Sequence, residues 1–366
     1  LKRLQPGKGI SMPYIRNVAT ANAPYKVDQQ QTVEVVRNLF GSQFADIERL
    51  LKVFDNGEIE SRYFAAPLDW FEQERGLEEK NGRYVDQAVE MGSDAVMRSL
   101  AKARLSPDDI DAFIFVSSSG MATPTIDARI MNKLAFPPHV KRIPLWGLGC
   151  AGGAAGISRA HDFCLAYPEA TVLVLCIELC SLTFQRQDLS KSNLIGTSLF
   201  ADGAACALVS GDRTAGADGF FIRDTQSTLM PESEEVMGWD VKDGGLHVVF
   251  SRDIPSIIEN WLKPNVDGFL DSIGKTGADI DHFIAHPGGK KVLAAYEKAL
   301  DISREKTAVS REVLTRFGNM SSPTVLYVLK EFMEQEPADG TNGLLTALGP
   351  GFSSELVWLE WEGLME

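Results

Sequence analysis

Asp109, Ile110, Asp111, Phe113 and Ile114 recur as Asp279, Ile280, Asp281, Phe283 and Ile284 at one constant offset of 170 residues. Both copies follow a helix-forming stretch and open a short apolar run. Each run ends in a glycine-bearing turn, Ser117-Ser118-Ser119-Gly120 in the first and His286-Pro287-Gly288-Gly289 in the second. Ahead of the first copy, Val85, Ala88, Met91, Ala95, Val96 and Leu100 recur at helical spacing across 84–105. Ser106 then caps the next turn, Pro107 suits its first position and Asp109 lies where the dipole favours an acid. Ahead of the second copy, 257–273 reads as a helix with Trp261, Val266 and Leu270 on its apolar side. A chain that repeats helix, turn and buried strand at one offset reads as a duplication.

Each copy continues into further alternating elements. The first is followed by a helix over 152–165 and strands over 171–177 and 204–209. The second is followed by helices over 290–300 and 322–333 and strands over 343–347 and 355–358. Near-continuous apolar strands alternating with helices indicate an α/β fold whose sheet is covered on both faces. The expected organisation is two α/β halves, 1–213 and 214–366, with a site fed by loops from both.

The bulk properties exclude several function classes. A net charge of −14 and a pI near 4.9 oppose attraction to nucleic acid or an anionic membrane surface. The five cysteines, at 150, 164, 176, 180 and 206, form no Cys-x-x-Cys pair, and the five histidines have no metal-ligand spacing. Reduced thiols, no metal and a cytoplasmic protein are expected. The most apolar run, 171–176, meets a carboxylate at Glu178 and reads as a buried strand rather than a membrane span. The glycine-rich 147–156 segment has no phosphate-binding lysine and no dinucleotide-binding frame at a strand–helix junction.

Three segments carry the chemistry. In Trp146-Gly147-Leu148-Gly149-Cys150-Ala151-Gly152-Gly153 small residues allow a tight turn and a helix that starts directly after the thiol. The free amides there favour a thiolate; taken alone, the segment fits a buried structural cysteine equally well. His286 ends an apolar strand, where α/β sheets place their ligands, although a turn histidine has the same setting. Asn319 precedes a helix that Ser321 or Ser322 can cap, and by itself it fits a turn role. Together the three make sense: a thiolate accepts an acyl group from a thioester, and imidazole and carboxamide donors stabilise an enolate.

Six segments resemble the type III polyketide synthases of the chalcone synthase superfamily, in family order over nearly the whole chain. They are Trp146-x-x-Gly149-Cys150-Ala151-Gly152-Gly153, Phe200-Ala201-Asp202-Gly203-Ala204-Ala205, Phe250-Ser251-Arg252-Asp253-Ile254-Pro255, Ile284-Ala285-His286-Pro287-Gly288-Gly289, Gly318-Asn319-Met320-Ser321-Ser322 and Gly349-Pro350-Gly351. The resemblance implies a thiolase fold layered α-β-α-β-α and a homodimer. It implies a Cys150–His286–Asn319 triad acting on acyl-CoA and malonyl-CoA, with CoA thioesters as substrates and no cofactor. It also implies a gatekeeping aromatic at Phe200. Val248 stands where the plant enzymes have a second gatekeeping phenylalanine, and Thr123 where the plant partner subunit inserts a methionine. Cys180 and Thr183 join Thr123 as expected cavity-lining residues. Aligned back from Tyr63, Arg49, Lys52 and Arg62 are the expected CoA-phosphate contacts. Met237-Gly238-Trp239-Asp240 is similar to the bacterial branch, which includes makers of alkylpyrones and alkylresorcinols.

The nearest rival is a ketoacyl-carrier-protein synthase of the initiating type, against which Gly318-Asn319-Met320-Ser321-Ser322-Pro323 argues. A thiolase would carry a second reactive cysteine near its C-terminus, and none follows Cys206. A non-catalytic scaffold would show a damaged triad. The expected product is an alkylpyrone, made from a medium- or long-chain starter by two or three malonyl extensions. Resorcinol-forming and aromatic-starter activities are the alternatives.

Overall fold

The computed structural model describes residues 12–41, 43, 46–211 and 218–363. The expected boundary at 213/214 lies outside them. The strands, in chain order, are β1 (Tyr14–Asn22), β2 (Tyr25–Asp28), β3 (Ser61–Phe64), β4 (Ala112–Val116), β5 (Lys141–Leu145), β6 (Thr171–Leu179), β7 (Asp202–Ser210), β8 (Gly219–Leu229), β9 (Met237–Lys242), β10 (Gly245–Phe250), β11 (His282–Ala285), β12 (Asn342–Gly349) and β13 (Ser353–Glu362).

One pairing pattern is used twice. β4 runs parallel to β6, β6 antiparallel to β7, and β7 antiparallel to β1. Likewise β11 runs parallel to β12, β12 antiparallel to β13, and β13 antiparallel to β8. The two sets join where Tyr14 and Ile15 of β1 meet Phe221 and Phe220 of β8, giving one nine-stranded sheet with β5 and β11 at its edges. The repeated sequence segments do the same work in both sets. Asp111 accepts from the Thr171 N–H, and Asp281 from the Asn342 N–H, both at 2.8 Å. Ser106 with Asp109, and Thr276 with Asp279, close matching capping boxes on single 3₁₀ turns.

Three apolar clusters define the helical layers. Helices Gly152–Ala166 and Thr324–Glu334 lie between the two strand sets, in one core with Ile114, Val174, Ile284 and Val357. Helix Leu77–Ala103 covers the opposite face of the first set, against Phe113, Phe115 and Leu173. Helices Lys263–Ser272 and Lys290–Leu300 cover the second set, against Phe283, Leu344 and Trp358. Side chains at successive positions of one strand, such as Phe113 and Ile114, therefore enter different layers, and their strands are apolar throughout. This is the layering of the thiolase fold.

The helix expected over 257–273 begins earlier, at Ile254, and passes through a π-helical stretch at Ile258–Leu262. Pro264 has no N–H to donate back to Asn260, so the α-helical ladder is interrupted there. Neither Ser321 nor Ser322 caps helix Thr324–Glu334 with its side chain. The Ser322 hydroxyl instead donates to Glu178.

Candidate active site

Cys150 sits in a single 3₁₀ turn, Gly149–Ala151, that runs directly into helix Gly152–Ala166. Two glycines make this possible. Gly149 has φ +46°, and a Cβ on Gly153 would come within 2.3 Å of the Ser322 carbonyl oxygen. The helix start that carries the thiol is thus packed against the loop that carries Asn319. Cys150 Sγ lies 4.0 Å from Asn319 Oδ1. Asn319 is clamped: its Oδ1 accepts from the Ser321 N–H at 2.8 Å and its Nδ2 donates to the Gly288 carbonyl at 3.1 Å. Gly288 belongs to the turn after His286, so the three expected triad segments meet at one place.

His286 directly follows β11, with its N–H bonded to the Thr346 carbonyl. Its ring is buried, and neither nitrogen has a partner among the described residues. Burial holds the imidazole down to about 3, so it is neutral. Burial also pushes the Cys150 thiol up to about 11, against the opposing effects of the Ser321 and Asn319 hydrogen bonds. The thiolate-favouring helix start expected from sequence is therefore outweighed: desolvation is the largest influence on this sulfur. Each charge is costly alone in this buried setting.

Sequence reasoning passed over Glu178. It is fully buried at the end of β6 and accepts from the Ser118 and Ser119 N–H groups and from the Ser322 hydroxyl. Burial raises its carboxyl to about 7. The Ser118 hydroxyl in turn accepts from the Gly147 and Gly149 N–H groups, so Glu178 links the Cys150 loop to the Asn319 loop. The available signal was a lone carboxylate inside an otherwise apolar strand.

Phe200, Val248, Cys180 and Thr183 line one cavity, completed by Val35, Val36 and Leu39 of helix Gln29–Phe40. Phe200 also packs on Trp239 and Phe250, each at 5.7 Å between ring centroids. Thr123 does not join this lining and is exposed.

Arg49 and Lys52 project from helix Ile47–Asp55 into solvent, and neither has an ion-pair partner among the described residues. Arg62 corrects the expectation. It is fully buried, with Nη1 donating to the Thr197 and Phe200 carbonyls at 2.6 and 2.7 Å, and its guanidinium lies over Phe64. It follows Ser61 at the start of β3, which pairs with β2, and its side chain runs inward instead of toward solvent phosphates.

The fold and these convergent loops define a condensing acyltransferase of the thiolase superfamily. Residues 18–213 match the N-terminal domain, and 222–360 the C-terminal domain, of the chalcone and stilbene synthases, and the chain belongs to that family. It is a bacterial-branch type III polyketide synthase, performing iterative decarboxylative Claisen condensation on CoA thioesters. The chain is 48% identical to a "Putative chalcone synthase" of Bacillus subtilis (strain 168), covering 96% of this chain and 99% of that protein. It is 28% identical to the "Alpha-pyrone synthesis polyketide synthase-like Pks18" of Mycobacterium tuberculosis (strain H37Rv), over 97% and 93% of the two chains. The crystal structure of 1,3,6,8-tetrahydroxynaphthalene synthase from Streptomyces coelicolor A3(2) superposes with a TM-score of 0.91 at 30% identity, covering 95% of this chain and 99% of that one.

Proposed function

We propose that the enzyme loads a medium- or long-chain acyl-CoA onto Cys150, extends it with about two or three malonyl units and releases an alkylpyrone. The observation that carries this reading is the cavity beside Phe200, whose walls include Val35, Val36, Leu39 and Val248. Each methylene buried there contributes roughly 0.8 kcal/mol. The similarity to a protein named for alpha-pyrone synthesis points the same way.

In the proposed cycle His286 takes the Cys150 proton as sulfur attacks the acyl-CoA carbonyl, and CoA leaves as its thiol after taking that proton back. Malonyl-CoA then loses carbon dioxide. The neutral His286 ring and the Asn319 carboxamide donate to the enolate oxygen. The enolate carbon attacks the acyl–Cys150 thioester, forming the new C–C bond and returning sulfur as thiolate, with the lengthened chain left on CoA; for each further extension Cys150 takes that chain back as a thioester and CoA leaves as its thiol. After the last extension an enol oxygen attacks the thioester carbonyl, which closes the lactone and expels the thiol. Arg49 and Lys52 remain the proposed CoA-phosphate contacts.

The working unit is proposed to be a homodimer. β5 presents an open edge, and Met121, Thr123 and Trp146 are exposed beside it, Trp146 through an indole bonded to the Gly120 carbonyl. Light scattering at micromolar protein tests this, and an active monomer contradicts it. The test of the reaction is a matched panel of alkyl and aromatic acyl-CoAs with malonyl-CoA, with products identified by mass spectrometry. Alkylpyrones from chains of about six carbons or more are expected. A preference for benzoyl- or coumaroyl-type starters overturns the fatty-acyl reading, and a resorcinol product overturns the release step.

A further inference from the structure

Among the described residues the hairpin β9–β10 pairs only with itself. A two-stranded ribbon has little stability of its own, yet this one brings Val248 into the cavity and sets Trp239 and Phe250 against Phe200. Besides a His247 Nδ1–Asp188 Oδ2 contact at 3.4 Å, its polar attachment includes two buried side chains, neither of which lines the cavity. Gln185 Nε2 donates to the Leu246 carbonyl of β10 at 3.0 Å and to the Thr183 carbonyl at 3.1 Å. Gln185 Oε1 accepts from Lys80 Nζ at 3.1 Å. Lys80 Nζ also donates to the Phe184 carbonyl at 2.9 Å and to the Gly244 carbonyl, in the hairpin turn, at 3.4 Å. One ammonium thus spends its three protons on the hairpin turn and on the Thr183–Gln185 segment.

Two features show that Lys80 is not placed there for its own helix. It lies at the end of the first turn of helix Leu77–Ala103, where the dipole disfavours a cation. It is only 9% exposed, and burial lowers its ammonium to about 8. A residue that breaks local preference and is buried at a cost is held by what it connects. The hairpin turn is shaped to meet it. Gly245 has φ +117°, and a Cβ on Gly244 would lie 3.3 Å from Gln185 Oε1.

We propose that Lys80 and Gln185 form a specificity-determining clasp, fixing the distance between Val248 and the Cys180–Thr183 wall and thereby selecting the starter acyl group. They act as positioning residues: neither touches the reacting atoms. The inference rests on the reading that the cavity holds the starter tail.

The test uses the full-length enzyme with Lys80→Met, Gln185→Leu and the double substitution. kcat/KM is measured across the alkyl and aromatic acyl-CoA panel, and malonyl-CoA decarboxylation separately. The clasp predicts that discrimination between favoured and disfavoured starters shrinks roughly ten-fold while decarboxylation stays within about two-fold. The double variant should be no worse than either single one, because both break one unit. Unchanged starter ranking in folded variants overturns the proposal, and so does parallel loss of ranking and decarboxylation, which marks a merely structural tie. If Lys80→Met does not fold, Gln185→Glu decides. It keeps an acceptor for Lys80 but has no donor for the Leu246 carbonyl, and the same loss of discrimination is expected. A wild-type preference for aromatic starters would sink the fatty-acyl reading alone, since the clasp is then read from the aromatic ranking.

Discussion

Asn319 is bonded through its backbone to both neighbours of Phe200: its N–H donates to the Leu199 carbonyl and its carbonyl accepts from the Ala201 N–H, each at 2.9 Å. The proposed enolate donor and the proposed gate therefore share one rigid bridge. Buried Arg62 holds the other side of that bridge through the Phe200 carbonyl. Displacing the gate backbone displaces the carboxamide with it.

Cys150 should be the sole site of acyl loading. Cys164 and Cys206 are pushed up to about 12 by burial, and Cys176 and Cys180 are raised well above an ordinary thiol. Intact mass after incubation with an acyl-CoA should show one adduct in the wild type and none in Cys150→Ala. Persistence of the adduct in that variant contradicts the assignment.

His286 should control the ionisation of Cys150. Without the imidazole the proposed base is lost, and only the Ser321 and Asn319 hydrogen bonds oppose the desolvation that lifts the sulfur to about 11. In His286→Ala the alkylation rate of Cys150 should therefore require a higher pH than in the wild type. An unchanged alkylation profile would remove the proposed coupling.

Asn319→Ala should impair decarboxylation more than loading. Loss of one enolate donor costs about 10²–10³ in rate, while thiol attack on the starter does not need it. Separate assays of starter loading and malonyl-CoA decarboxylation decide this, with equal losses counting against an enolate role.

Glu178 should make the fold less stable as pH rises. Its folded value of about 7 lies above the ordinary 4.5, so the folded state binds its proton more tightly. Its stabilising contribution is complete below 4.5 and is lost as pH climbs to about 7. At about 1.4 kcal/mol per unit, that shift from 4.5 to about 7 is on the order of 3 kcal/mol. Asp202, raised to about 6 by burial, has the same sign. Glu178→Gln should flatten the stability-versus-pH curve in denaturant titrations between these limits. An unaltered slope would mean that the carboxyl is not the titrating group.

Arg49 and Lys52, but not Arg62, should serve CoA. Removing either exposed cation should raise KM for CoA thioesters roughly two- to five-fold at low salt, and less as salt increases. Arg62→Met should instead act through stability, since its guanidinium is bonded to the Thr197 and Phe200 carbonyls. No KM change for Arg49 and Lys52 variants would withdraw them.

What the sequence by itself determined is the part written in local rules. The strand at 112–116 and the helix at 290–300 are as read, because an uninterrupted apolar run and helical spacing act within a few residues. The matching Asp111 and Asp281 contacts were legible as a repeat, since both strands need the same tie to a neighbouring strand. The tertiary structure alone decided matters that depend on burial. Arg62 looks like any basic residue close in sequence to Arg49 and Lys52 until β3 turns its side chain inward. The Cys150 loop looks thiolate-favouring until residues more than 100 positions away, such as Asn319 and Ser322, are packed against it and the sulfur is buried. Glu178 and Lys80 became visible for the same reason: a buried charge is defined by the partners brought to it, and those partners come from distant segments.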